Sequence, residues 1–186
     1  TPAGEALLMA YQLFSQQMQH WMRELEALSP GVLTQLDIMR KVSMKTSARN
    51  LFHGSITHIQ TGPVNCEVIL AIAKNMQLVA HITPESLERL GLEIGSDAYA
   101  LIKASWVILT QDLDGTLKTS ARNQFCGKIT HIEKGAVNSD ITLDVGGGQT
   151  LSAVITNQSA TNLGLYIGGR GCALIKANHV LLAVSD

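Results

Sequence analysis

The sequence predicts a mainly β fold: two tandem OB-like five-stranded β-barrels, preceded by a helical dimerisation arm. Three observations predict it: an internal repeat, a period-two alternation inside each copy, and a different, heptad-like pattern ahead of them. The stretch TSARNLFHGSITHIQTGPVN at 46–65 recurs as TSARNQFCGKITHIEKGAVN at 119–138, and LIKA at 101–104 recurs at 174–177. The offset is a constant 73 residues (119 less 46, 174 less 101), and about half of the aligned positions are identical without a gap.

In chain order, residues 1–44 form the arm. Leu7, Tyr11, Phe14, Met18, Trp21, Leu25 and Leu28 alternate spacings of four and three, an a/d seam over three heptads. A helix lying on its own barrels shares most of that spacing. Seven large apolar residues would leave a sizeable patch uncovered on a monomer, so the seam is expected to be a dimer interface. Ser29-Pro30-Gly31 ends the helix, and Val32–Met44 reads as a second, shorter one.

The first module spans 45–110. Strands are expected near Phe52–Gln60, Cys66–Ile72, Gln77–Ile82, Asp97–Lys103 and Trp106–Thr110. One helical turn interrupts them, opened by Pro84 with Thr83 as N-cap, facing Leu87 and Leu90 inward and stopped by Gly91. A polar linker, 111–118, leads to the second module, 119–186. Barrels this small are filled by their own side chains, so a ligand must sit on a rim or between barrels.

Composition narrows the function. Apolar residues are 46% and charged residues 16%, which excludes disorder, and 14 Lys and Arg against 15 Asp and Glu leave no global field to hold nucleic acid or anionic membrane. No apolar run is long enough for a membrane helix, the first residues lack the basic-then-apolar signature of a signal peptide, and three scattered Cys predict no disulfide framework; a cytoplasmic protein is expected. Gly146-Gly147-Gly148 lies between two strands and reads as a hairpin turn, not a phosphate loop. The six His lack metal-ligand spacing, no catalytic constellation recurs in both modules, and Glu67 and Asp140, one acid per module, read as solvated. The chain is therefore expected not to be an enzyme.

The remaining chemistry is donor-rich. TSARN supplies two hydroxyls, a guanidinium and backbone N–H groups with no carboxylate, a set that suits an oxyanion. An isolated copy could equally cap a turn with its arginine solvated. Lys103 and Lys176 stand at strand ends, and Thr83/Ser86 and Thr156/Ser159 add hydroxyl pairs at the start of the short helical turn.

The SARN-x-x-x-G-x-I start, the Thr-x-x-Ser before Leu-Gly-Leu and the Leu-Ile-Lys-Ala strand end resemble the Mop domain of the molbindins and of the ModE-type molybdate-responsive transcriptional regulators. TPAGEALLMAYQ resembles the stretch that opens the dimerisation helix of those regulators, after their winged helix-turn-helix. The resemblance implies molybdate or tungstate bound at subunit interfaces of a homodimer, with operator DNA bound by a domain that this chain lacks, no membrane partner and no organic cofactor. Carried over, the ligands are Ser47, Ala48, Arg49, Lys103 and Ala104 in the first module, with Thr83 and Ser86 from a facing module. The second module offers Ser120, Arg122, Lys176, Thr156 and Ser159. In the regulator pattern the second module lacks its SARN; this chain keeps it, a departure toward the two-module molbindins that leaves the site count open. A storage protein without DNA binding is the alternative, the arm favouring the regulator. An accessory domain of a transport ATPase and an oligonucleotide-binding barrel fit less well, for want of a nucleotide loop, a basic groove and stacking aromatics.

Overall fold

The computed structural model describes residues 46–111 and 118–184; the expected arm and its seam, Leu7 to Leu28, lie outside the described residues. The strands form where alternation buries every second side chain. In the first repeat β1 is Asn50–Thr61, β2 Cys66–Ala73, β3 Met76–Ile82, β4 Asp97–Ile102 and β5 Ile108–Thr110. Along β2, Cys66, Val68, Leu70 and Ile72 point inward and Glu67, Ile69 and Ala71 outward, the period expected of a strand with one face in a core. The second repeat follows as β6 Asn123–Lys134, β7 Asn138–Gly146, β8 Gln149–Thr156, β9 Arg170–Ile175 and β10 Leu181–Ala183.

The helical turn stands as expected. Helix α1 is Pro84–Arg89, with the Thr83 hydroxyl accepting from the Ser86 N–H at 3.2 Å, and Gly91 leaves it at φ 59°. Helix α2, Asn157–Asn162, repeats the arrangement with Thr156 and Ser159. Gly146, Gly147 and Gly148 all have positive φ where β7 turns into β8, which bears out the hairpin.

One expectation needs correcting. The fifth strand of each repeat forms, but it completes the other repeat's sheet: the orders are β10-β4-β1-β2-β3 and β5-β9-β6-β7-β8. Leu181 pairs with Leu101 and Ile108 with Leu174, and β10 also packs on β3 while β5 packs on β8, so the borrowed strand curls each sheet back toward its far edge without a ladder between the two. The cause is local. After Lys103 and Lys176 the chain makes a 3-10 turn, Ala104–Trp106 or Ala177–His179, instead of running on as the strand expected from Trp106, and the turn carries it across.

The repeats meet as a two-fold pair, because equivalent positions touch each other. Phe52 and Phe125 stack at 6.3 Å between ring centroids, and Trp106 faces His179 at 5.3 Å. Their side chains share a single buried cluster, including Ile56, Leu70, Ile102, Ile129, Leu143 and Ile175.

The cysteine expectation is also corrected: Cys126 and Cys172 are joined in a disulfide. They are 46 residues apart in sequence, yet the antiparallel register of β6 and β9 places them directly opposite each other. Cys66 is a free, buried thiol.

Candidate functional site

Each SARN segment enters its first strand through a hydroxyl-capped turn. Thr46 Oγ1 accepts from the Ala48 N–H at 3.1 Å, and Thr119 Oγ1 from the Ala121 N–H at 3.2 Å. Both parts of the sequence reading therefore have a place: the threonine caps, and Ser47, Arg49, Ser120 and Arg122 stand in solvent where a ligand can reach them.

The asparagine that ends the motif has a role the sequence reading missed. Asn50 and Asn123 are 2% exposed. The Asn123 side-chain amide donates to the Val79 carbonyl at 2.8 Å and its oxygen accepts from the Val79 N–H at 2.7 Å. Asn50 does the same to Ser152 at 2.9 and 2.6 Å, and also donates to the Ile102 carbonyl at 3.2 Å. Each amide thus imitates a peptide group and ties one repeat's first strand to the third strand of the other. We expect Asn50→Ala to lower unfolding free energy by about 2–3 kcal/mol, since it strands a buried N–H and carbonyl; urea denaturation measures it.

Glu67 and Asp140 are corrected too. They are not solvated acids. Arg49 is ion-paired with Asp140, and Arg122 Nη2 lies 3.0 Å from Glu67 Oε1, so each arginine is held by the other repeat's acid. The arginines are about half exposed, at 53% and 55%, whereas the acids are mostly covered, at 17% and 22%. Glu67 also meets His81 Nε2 at 3.0 Å; at the equivalent position 154 stands a valine, and Asp140 Oδ1 is buried without a partner. Outward alternation was legible in the sequence; that the outward face looks onto the other repeat was not.

Around these pairs the donors assemble by symmetry. Asp140 pairs with Val154 on β8, two residues before Thr156, and the turn that starts after Lys103 packs on the same strand. The Lys103 turn therefore faces Thr156 and Ser159 of the second repeat, whereas Arg49 stands against Asp140. A cavity of about 610 Å³ opens between that turn and α2, lined by Ser105, Val107, Asn138, Thr156 and Ser159 among others, but not by Ser47, Arg49 or Lys103. Its equivalent, about 310 Å³, lies between the Lys176 turn and α1, lined by Asn178, Asn65, Thr83, Ser86 and Arg89. Within one chain, then, the Thr-x-x-Ser pair that shares a cavity with each lysine turn belongs to the other repeat. Lys103 Nζ sits 5.4 Å from the Trp106 ring centroid, which steadies the ammonium at the turn. Ala104 and Ala177 are buried beneath the two lysines, so both turns are anchored. Among the described residues there is no group of His, Cys, Asp and Glu fit to hold a metal ion, and no helix long and apolar enough to cross a membrane.

The comparisons with known proteins agree with this architecture. The TOBE domain model matches twice, at residues 46–109 and 119–182. The molybdenum transport protein ModE of Herbaspirillum seropedicae is 40% identical over the whole chain, which spans 69% of that protein. The DNA-binding transcriptional dual regulator ModE of Escherichia coli is 34% identical over 98% of the chain, again 69% of the relative. A crystal structure of the cytoplasmic molybdate-binding protein ModG, with molybdate bound, superposes with a TM-score of 0.73 at 39% identity, covering 76% of this chain and all of that one. A doubled TOBE domain and full-length similarity to ModE lead to one conclusion: the chain belongs to the ModE-like family and corresponds to its two-module Mop region.

Proposed function

We propose that the chain binds molybdate or tungstate where repeats face each other, as the ligand-sensing region of a dimeric, cytoplasmic regulator of molybdenum uptake or use, with operator DNA held by another part of the protein. One observation carries the reading: both repeats carry the same donors, Ser47, Arg49 and Lys103 or Ser120, Arg122 and Lys176, and the turn that follows each lysine lines a cavity together with a Thr-x-x-Ser pair of the opposite repeat. Molybdate is a fully deprotonated tetrahedral dianion at neutral pH, so donors serve all of its oxygens. Sulfate differs in size only, and cavity dimensions must reject it. Each charge-assisted hydrogen bond contributes about 1.5–3 kcal/mol, so five or six support about micromolar affinity after the costs of association. The backbone of Ala48 and Ala104 belongs to the proposed shell, although the Ala48 N–H already donates to Thr46 Oγ1.

Calorimetric titration of the purified chain with molybdate, with sulfate and phosphate as controls, tests the proposal. We expect saturable molybdate binding, weakened at least tenfold in Arg49→Ala and in Lys103→Ala; unchanged affinity in both variants sinks the assignment. The match to ModG supports a second reading, a storage or buffering protein. Against it, similarity to ModE extends over the residues before 46, beyond the portion covered by ModG. Sedimentation separates the two: a sensor dimer changes shape on saturation, and a buffer fills without doing so.

A further inference from the structure

We propose that Asp140 and Glu67 are built-in competitors for the oxyanion-binding arginines, so that a ligand must take each guanidinium away from the opposite repeat's carboxylate. The inference rests on the proposed molybdate reading and adds residues to it that the donor motifs do not contain. Neither arginine is free: Arg49 is paired with Asp140 and Arg122 with Glu67, at positions equivalent under the 73-residue repeat (140 less 67). The guanidiniums are half exposed while the acids are largely covered, so an arriving anion meets the arginine and not the acid. An ion pair this open to water holds weakly, and a dianion offers the guanidinium a second charge and further oxygens. The carboxylate that stays behind then repels the bound dianion across a short, partly dry gap. Its presence sets a threshold that weak anions fail to cross.

The two gates differ. Glu67 keeps His81 as a partner when Arg122 leaves, whereas Asp140 keeps none and already has an unpartnered buried oxygen. Opening at Arg49 is therefore the harder step, and removing the acid there should have the greater effect.

The test is calorimetric titration of wild type, Asp140→Asn and Glu67→Gln with molybdate and with sulfate. Asp140→Asn should bind molybdate at least tenfold more tightly and Glu67→Gln should gain less, with sulfate binding strengthened as well. The double variant Arg49→Ala/Asp140→Asn should gain less over Arg49→Ala than Asp140→Asn gains over wild type, because only the repulsion is relieved and no guanidinium is left to release. Unchanged or weaker molybdate binding in Asp140→Asn, with wild type binding normally, overturns the gate and leaves the molybdate reading intact. A wild-type chain that takes up neither molybdate nor tungstate overturns both. If Asp140→Asn fails to fold, Glu67→Gln decides the question by the same sign of change.

Discussion

Gly127→Ala should destabilise the chain by about 3 kcal/mol or more, and Gly54→Ala by a similar amount, read as a fall in the unfolding midpoint. A Cβ at Gly127 would stand 2.0 Å from the Asp144 carbonyl oxygen, and one at Gly54 2.4 Å from that of Ala71. Both obstacles are backbone of the neighbouring strand, at the start of the β1–β2 and β6–β7 ladders, so neither can swing aside as a side chain would. The strands would have to separate, which breaks hydrogen bonds in the most heavily packed part of the barrel. Gly164→Ala is the control: at φ 59° with nothing within 4 Å, it should lose only about 1–2 kcal/mol from backbone strain. The glycine in the SARN-x-x-x-G-x-I pattern is thus a packing requirement and not part of the anion shell.

A chain ending at His179 should damage the first repeat, although the deletion lies at the end of the second. It removes Val180 from the core, where it is 1% exposed, and with β10 the strand that covers β4. Burial of Val180 contributes about 1.5–3 kcal/mol and the partly buried Leu182 adds less, before the ladder bonds to Leu101 and Tyr99 are counted. Amide hydrogen exchange reads the outcome. Protection should collapse along Asp97–Ile102, while Arg170–Ile175, covered by β5, keeps its own. Loss of protection along β9 instead would mean that each repeat uses its own fifth strand.

The contrast shows what the sequence could and could not tell. Two barrels, the Thr83-capped turn and the glycine hairpin were legible because they rest on local patterns: alternation, capping and positive φ. The strand exchange was not. Alternation states which face of Ile108–Thr110 is buried, and both repeats carry the same kind of strand there, so swapped and unswapped pairings satisfy one pattern equally well. The Cys126–Cys172 bond depends on register between strands far apart in sequence. The donor set was readable as chemistry, residue by residue. Its carboxylate partners were not, because Glu67 and Asp140 look solvent-facing until a second barrel is placed against them.

Asn50 and Asn123 also matter to how the chain is made. Strands β3 and β8 are the outer strands of their sheets, and an outer strand offers unpaired N–H and carbonyl groups to any extended peptide nearby. The two asparagine amides occupy those groups at Val79 and Ser152. During synthesis, however, the first repeat emerges from the ribosome before Asn123 and Leu181–Ala183 do. Until they arrive it has neither its amide clamp nor its fifth strand, and on a polysome the neighbouring nascent chains carry the same missing pieces. Pairing between chains at that stage is a route to misassembly, and quick completion of the second repeat protects the first.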